Sequence, residues 1–306
     1  MSMQSRYQTV LRAIVFALFL LASAAASAQV TVSIVGNQGL AHISLTDGVS
    51  TYVADVTISF DSPANLTVAE LNLTASLVNP ADPALLTRLS NCSPACFVDP
   101  AFPMLVTVEP LTLPQMFMSG FDPNEATTGN LDFRNTYQFE LHTANIDCTA
   151  DPQGNCPTTP YRLFKAPVGG SFKDITTDVL KGSVRARGRG GSFSEFLIVE
   201  DVRASSTVEQ GKANDLQGRI QSASIPVLLQ SNLLSELASV QASVSLLNYA
   251  AAIANLEQLI ADIEGNAGTA IANAWSSDHT LINDAGEMLS LARTLRYTLV
   301  RLQNGN

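Results

Sequence analysis

After its first 28 positions the sequence contains no run of ~20 apolar residues, so nothing in the later chain reads as a transmembrane helix. It has one tryptophan and three histidines in 306 residues. His42, His142 and His279 lie far apart, and none belongs to an H-E-x-x-H pattern. A G-x-S-x-G elbow, a P-loop and a dinucleotide fingerprint are also missing, which excludes enzymes recognisable by a contiguous motif and leaves no cofactor to expect. Charge is scarce at 14%, with 17 Lys and Arg against 27 Asp and Glu for a net −10, a balance that favours solubility. Cysteine is rare too: there are four, and none follows Ala28 closely enough to carry a lipid.

What is present begins with a leader. Arg6 and Arg12 precede an apolar run from Ala13 to Leu21, and Ala26-Ser27-Ala28 places small residues where a signal peptidase reads, so cleavage is expected before Gln29. Residues 1–28 are thus expected to be a signal peptide of bacterial type, and the mature protein periplasmic or secreted. The leader carries two bases and no acid, so the mature balance becomes 15 minus 27, or −12.

The cysteines fall in two local pairs, Cys92 with Cys96 and Cys148 with Cys156, each spanned by loop-forming sequence. In an oxidising compartment such pairs become disulfides, with the local pairing preferred over the crossed ones. Zinc is the competing reading, but the spacing is loose and His142 is the only nearby histidine.

Composition changes near Arg203. Before it, period-two patterning predicts half-buried antiparallel strands: Tyr52, Ala54, Val56, Ile58 and Phe60 share one face, and Tyr137, Phe139 and Leu141 another. Leu71, Leu73, Ala75 and Leu77 alternate, but Leu66 and Val68 are out of phase, so a break is expected near Ala69-Glu70. Phe196-Leu197-Ile198-Val199 reads as a strand covered on both faces. Many short strands with Pro and Gly turns predict an immunoglobulin-like β-sandwich over residues 29–203. Beyond Arg203 the period is helical. A capping box at Ser206–Glu209 starts one helix. Leu233, Leu237, Val240, Val244 and Leu247 line the next, and Ile253, Leu256, Ile260 and Ile263 a third. Gly265 to Ser277 reads as a looser joint, with Trp275 as a bundle anchor. Leu281, Ala285, Met288, Ala292, Leu295, Leu299 and Leu302 form the seam of a last helix capped by Asp278. The fold class expected is all-β plus all-α in two domains, with a small helical bundle over residues 204–306.

Two resemblances enter here. LLSELASVQASV, LEQLIADIE and LINDAGEMLSLA, between Asn232 and Leu302, resemble the helical FIMAH-type modules that close many secreted bacterial proteins. YRLFKAP from Tyr161, followed by GSVRARGRGGSFSEFLIVEDVR, resembles an uncharacterised family of secreted proteobacterial proteins of unknown function. That family implies export and layout, and offers no site residues.

The most unusual local feature is basic. Arg162, Lys165, Lys173, Lys181, Arg185, Arg187 and Arg189 face only Asp174 and Asp178, a local +5. Strand alternation puts Arg185, Arg187 and Arg189 on one exposed face next to Lys181, within reach of successive anionic groups on a polyanion. The competing reading is an edge strand whose charges discourage pairing, or arginines paired with acids of the helical domain. The acidic loop DPNEATTGNLD offers Asp122, Asn124 and Asp132 as oxygen ligands for calcium, though it departs from the EF-hand pattern and also reads as a plain turn-forming loop. His142 alternates with an apolar face and is expected to face water. Gly169-Gly170-Ser171 and Gly190-Gly191-Ser192 read as hairpin turns. The expectation is an exported non-enzymatic protein acting by binding, adhesion or envelope association, its partner an extracellular polyanion, glycan or envelope protein. The alternative is a secreted hydrolase whose site gathers residues distant in sequence. A deep pocket holding His42 or His142 with carboxylates points to the enzyme, and a flat basic face to binding.

Overall fold

The structure is a computed structural model that describes residues 28–112, 130–148, 159–180 and 182–305. Residues 1–27 of the leader, Asp122, Asn124, Lys181, Cys156 and the side chain of Cys148 lie outside the described residues.

Two antiparallel sheets and six helices make up the described chain. The larger sheet runs β1 (Ala28–Val35), β2 (Gln38–Thr46), β3 (Thr51–Ala64), β7 (Asp132–Cys148), β11 (Gly182–Gly190), β10 (Thr176–Leu180). The smaller runs β4 (Leu73–Leu77), β6 (Met104–Val108), β12 (Ser194–Asp201), β8 (Tyr161–Ala166), β9 (Lys173–Asp174), with β5 (Cys96–Phe97) also on β12. Their inner faces share one core, because every second residue of each strand is apolar: Tyr52, Val56, Ile58 and Phe60 of β3 and Phe139 and Leu141 of β7 meet Val106 of β6 and Phe196 and Ile198 of β12. The rings of Phe139 and Phe196 stack with centroids 3.7 Å apart. The out-of-phase stretch before β4 is a helical turn, α1 (Val68–Leu71), capped by Thr67 and ended by Asn72 in the left-handed region at φ 43°.

β12 is buried on both faces, as its unbroken apolar run predicts. Leu197 and Val199 point into a second core with Leu85 of α2 (Pro83–Arg88), Leu89, Phe164 and Phe172. Cys92 and Cys96 belong to that core and are paired at disulfide distance, with Cα atoms 5.5 Å apart.

The change from strand to helix falls between Asp201 and Ser205. The helices α3 (Ser205–Ser222), α4 (Val227–Ser245), α5 (Tyr249–Asn266) and α6 (Asp284–Gln303) bury a common apolar cluster that includes Leu216, Leu237, Leu256, Ile260, Met288 and Leu295. Several local expectations are corrected. α3 begins at Ser205 behind Ala204 with no side-chain cap, so Ser206 lies inside the helix and the capping box does not form. Leu247 is 73% exposed at φ 57°, in the turn after α4. α6 is capped by Asn283, five residues after Asp278 and two after Leu281, so both Asp278 and Leu281 lie outside the helix. The joint before α6 contains β13 (Ala274–Ser276), which pairs with Asp132–Arg134 of β7 just past the end of β11. Trp275 therefore anchors the β core, against Phe133 and Phe193, and not the bundle. Gly190-Gly191-Ser192 carries the chain from one sheet to the other and is no hairpin. Gly191 has to be glycine there, since a Cβ would stand 2.5 Å from the Glu287 backbone nitrogen in the first turn of α6.

Candidate functional site

The outer face of the larger sheet gathers most of the chemistry-bearing residues. Its register sets His42 of β2 opposite Asp55 of β3, Asp55 opposite His142 of β7, and His142 opposite Arg185 of β11. Inward Val184 and Ala186 are buried, so Arg185, Arg187 and Arg189 point outward, with side chains 40%, 31% and 27% exposed. Each arginine meets acid, supplied by other strands of the sheet and not by the helices, and β11 is an inner strand between β7 and β10, not an edge. Glu140 takes Arg185 Nε at 3.4 Å and Arg187 Nε at 2.5 Å; Arg187 also lies 3.7 Å from Asp178, and Arg189 3.9 Å from Asp61. Arg189 also donates to Thr136 Oγ1 at 2.8 Å. Burial, and then Arg293 nearby, lower its pKa from the ordinary arginine value.

Beside this row stands a group that the sequence does not connect. His142 Nε2 lies 2.7 Å from Ser183 Oγ, and its Nδ1 lies 3.7 Å from Asp55 Oδ2. Asp55 Oδ1 is meanwhile 2.8 Å from His42 Nδ1. Serine, imidazole and carboxylate follow each other in the order a nucleophile, base and orienting group require. The orienting contact is long, however, and the carboxylate is 58% exposed and shared between two rings. A solvated, shared carboxylate holds one tautomer weakly.

Asp132 opens β7 between Ala64 and Ser276. Burial raises its pKa, and Asp278 raises it further. Glu70, fully buried in α1, is raised by burial as well, partly offset by Thr67, with Asp132 adding to the rise. Asp278 is held at about 2 by Ser276 and Thr280, and accepts from Asn130 at 3.1 Å. Among the described residues no three His, Cys, Asp or Glu side chains converge to hold a metal ion.

Three clefts lie where the helices meet the β body. One of about 530 Å³ is lined by Phe172, Lys173, Asp174, Arg203, Lys212 and Asp215. The second, of about 400 Å³, continues past Lys165, Ser192, Arg219 and Glu287, and the third, of about 330 Å³, reaches Trp275, His279 and Ile282. Ion pairs cross this seam. Lys212 of α3 meets Asp174 of β9 at 2.7 Å with both side chains buried, and Lys173 meets Asp215 at 2.5 Å. The Tyr297 ring lies between Lys212 and Arg162, with cationic centres 5.8 and 5.7 Å from its centroid. Burial pushes Asp174 up, yet Lys212 and Arg162 together hold its carboxyl below the ordinary value. Glu287 follows the same rule under Lys165, Ser192 and Arg219. Ser192 Oγ donates to Glu287 Oε1 at 2.7 Å and lies 3.2 Å from Lys165 Nζ. Lys165 Nζ also lies 3.2 Å from Glu287 Oε1. These contacts hold α6 on the sheet.

With this geometry in hand, comparison with known proteins gives one positive result. The chain belongs to a family of unknown function, DUF6689. The family's model matches residues 15–303, and so spans both the strands and the helices. No curated protein and no solved structure matches the chain. Among the described residues no helix is long and apolar enough to cross a membrane.

Proposed function

We propose that the protein is an exported, non-enzymatic binding module that acts through the outer face of its larger sheet, as an adhesion or envelope-associated protein. The observation that carries this reading is the row of outward arginines on β11, themselves 40%, 31% and 27% exposed, whose partners Asp178 and Asp61 are nearly half-exposed while the shared Glu140 is 16% exposed. A polyanion, an anionic glycan or an acidic envelope protein offers the repeated negative groups that Arg185, Arg187 and Arg189 engage once Glu140, Asp178 and Asp61 are displaced. The facing sheets support an immunoglobulin-like sandwich as the layout of residues 29–203, and the common apolar cluster of α3–α6 supports a separate helical domain over 204–306.

One observation favours a second reading, a hydrolase: the Ser183–His142–Asp55 contacts. Both readings are tested together. Heparin and lipopolysaccharide binding are measured against salt for the parent, for the triple variant Arg185→Ser, Arg187→Ser, Arg189→Ser, and for Ser183→Ala, alongside labelling by a fluorophosphonate serine-hydrolase probe. Binding that weakens as the Debye length shrinks below ~8 Å and is lost in the triple variant supports the module. Labelling of the parent that disappears in Ser183→Ala replaces it with the hydrolase.

A further inference from the structure

The two lateral sides of the β body are finished differently. On one side β10 carries a register shift between Thr176 and Asp178 and packs against α6, while β9 is only two residues long and is tied to α3 through Lys173 and Asp215. These are the usual means of closing a sheet edge. On the other side the two sheets end in β1 and β4, which run next to each other. β1 pairs with β2 over eight residues without a register shift, and it contains no proline. No Asp, Glu, Lys or Arg occurs between Ala13 and Thr46, or between Leu71 and Ala81. The core is also incompletely covered there: Val30, Val32 and Ile34 of β1 and Ala75 and Leu77 of β4 pack on it but stay partly exposed.

We propose that the β1 edge is a homodimer interface, in which β1 pairs antiparallel with β1 of a second copy and joins two larger sheets into one. The occupant follows from the strand's own pattern. A twofold axis through Val32 sets Val30 against Ile34 of the other copy and Val32 against itself on the core side, and Thr31 against Ser33 on the outer side. A residue-centred axis keeps the two faces together, and the partly buried apolar row of Val30, Val32 and Ile34 then meets an identical apolar row. Because the strand is uncharged, no like charges oppose each other across the axis. Pairing covers the exposed flanks of Val30, Val32 and Ile34 and satisfies the edge backbone groups that no described strand pairs. This inference is independent of the binding reading above, since it uses the edge of the sheet and not its outer face.

The mass of the purified protein in solution, by light scattering or sedimentation across 1–100 µM (roughly the range in which specific dimers form), tests it. The parent is expected to be a dimer. Thr31 and Ser33 are both exposed, so charges there leave the fold intact, which circular dichroism and the melting temperature check. Thr31→Lys with Ser33→Lys sets lysines against each other in the proposed register and halves the mass. Thr31→Lys with Ser33→Glu sets lysine against glutamate and restores the dimer. A parent that is monomeric at the highest concentration, whether because β1 takes a strand from another protein or none at all, overturns the proposal. So does a folded double-lysine variant that remains a dimer, or a lysine–glutamate variant that remains a monomer.

Discussion

The seam and the outer face use the same chemistry, a basic side chain against a carboxylate, in opposite surroundings. At the seam Lys212 and Asp174 are 5% and 3% exposed and joined by Thr294, Thr298 and Arg162, whereas on the face Arg185 and Arg187 share Glu140 within reach of water. A charge pair taken out of water cannot exchange partners cheaply, because either ion left alone keeps its desolvation cost. A pair at the surface exchanges at little cost, since water and salt screen what is lost. The seam pairs therefore specify where α3 and α6 dock, and the face pairs stay available to a ligand.

The sharpest way to break this contrast is at its buried end. Lys212→Met keeps the length and apolar stem of the side chain but leaves Asp174 buried without its hydrogen-bonded cation, with the charges of Arg162 and Arg203 still acting on it. A loss of about 3–5 kcal/mol is expected from urea unfolding at pH 7. A loss under about 1 kcal/mol would put the seam in the same class as the face. The pH response carries the same information. Asp174 and Glu287 both have folded values below their ordinary ones, so their contribution is present above the ordinary carboxylate range and lost as pH falls through the lowered values.

On the outer face, Glu140→Gln removes the acid shared by Arg185 and Arg187. Stability should fall by about 1 kcal/mol or less. Heparin binding should strengthen, because two guanidinium groups are released toward solvent with no change in the fold. Unchanged or weaker binding in this variant would show that the arginines do not face the ligand.

Where the sequence was legible, the signal was local. The alternation from Tyr52 to Phe60 is a solvated sheet surface seen from its own side chains, and the spacing of Ala285, Met288, Ala292, Leu295 and Leu299 is a buried helix face. β13 has three residues, too few for a period, and its partner on β7 lies more than 130 residues earlier. From the sequence alone Trp275 reads as a bundle residue for that reason. The glycines at 190 and 191 announce a change of direction but not that the chain changes sheet. On the outer face, alternation places Arg185, Arg187 and Arg189 correctly, yet nothing in the sequence announces their acid partners. Asp55, His142 and Ser183 belong to three strands whose order β3-β7-β11 is set by the sheet alone. The outward phase of His142 was the one available hint, and it identifies a face without naming neighbours.

The smallest effect expected extends the comparison to a pair with no cation at all. Glu236 of α4 is raised to about 7, first by burial and then by Asp262 of α5, which shares a hydrogen bond with it. From Ile220 to Ala292, a stretch that includes both helices, the sequence has seven acids and no Lys or Arg, so no base from α4 or α5 relieves the pair. The sign is opposite to that at the seam. A carboxyl raised above its ordinary 4.5 contributes fully below that value and loses its contribution as pH rises toward about 7. Acid should thus weaken the docking of α6 while tightening α4 on α5. Glu236→Gln keeps the hydrogen bond to Asp262 without the charge, so it should gain stability at pH 8, by less than about 1 kcal/mol because the site is partly solvated. It should match the parent at pH 5. Thermal unfolding at the two pH values measures the difference, and a variant that gains equally at both would mean that the charge on Glu236 does not oppose the packing of α4 on α5.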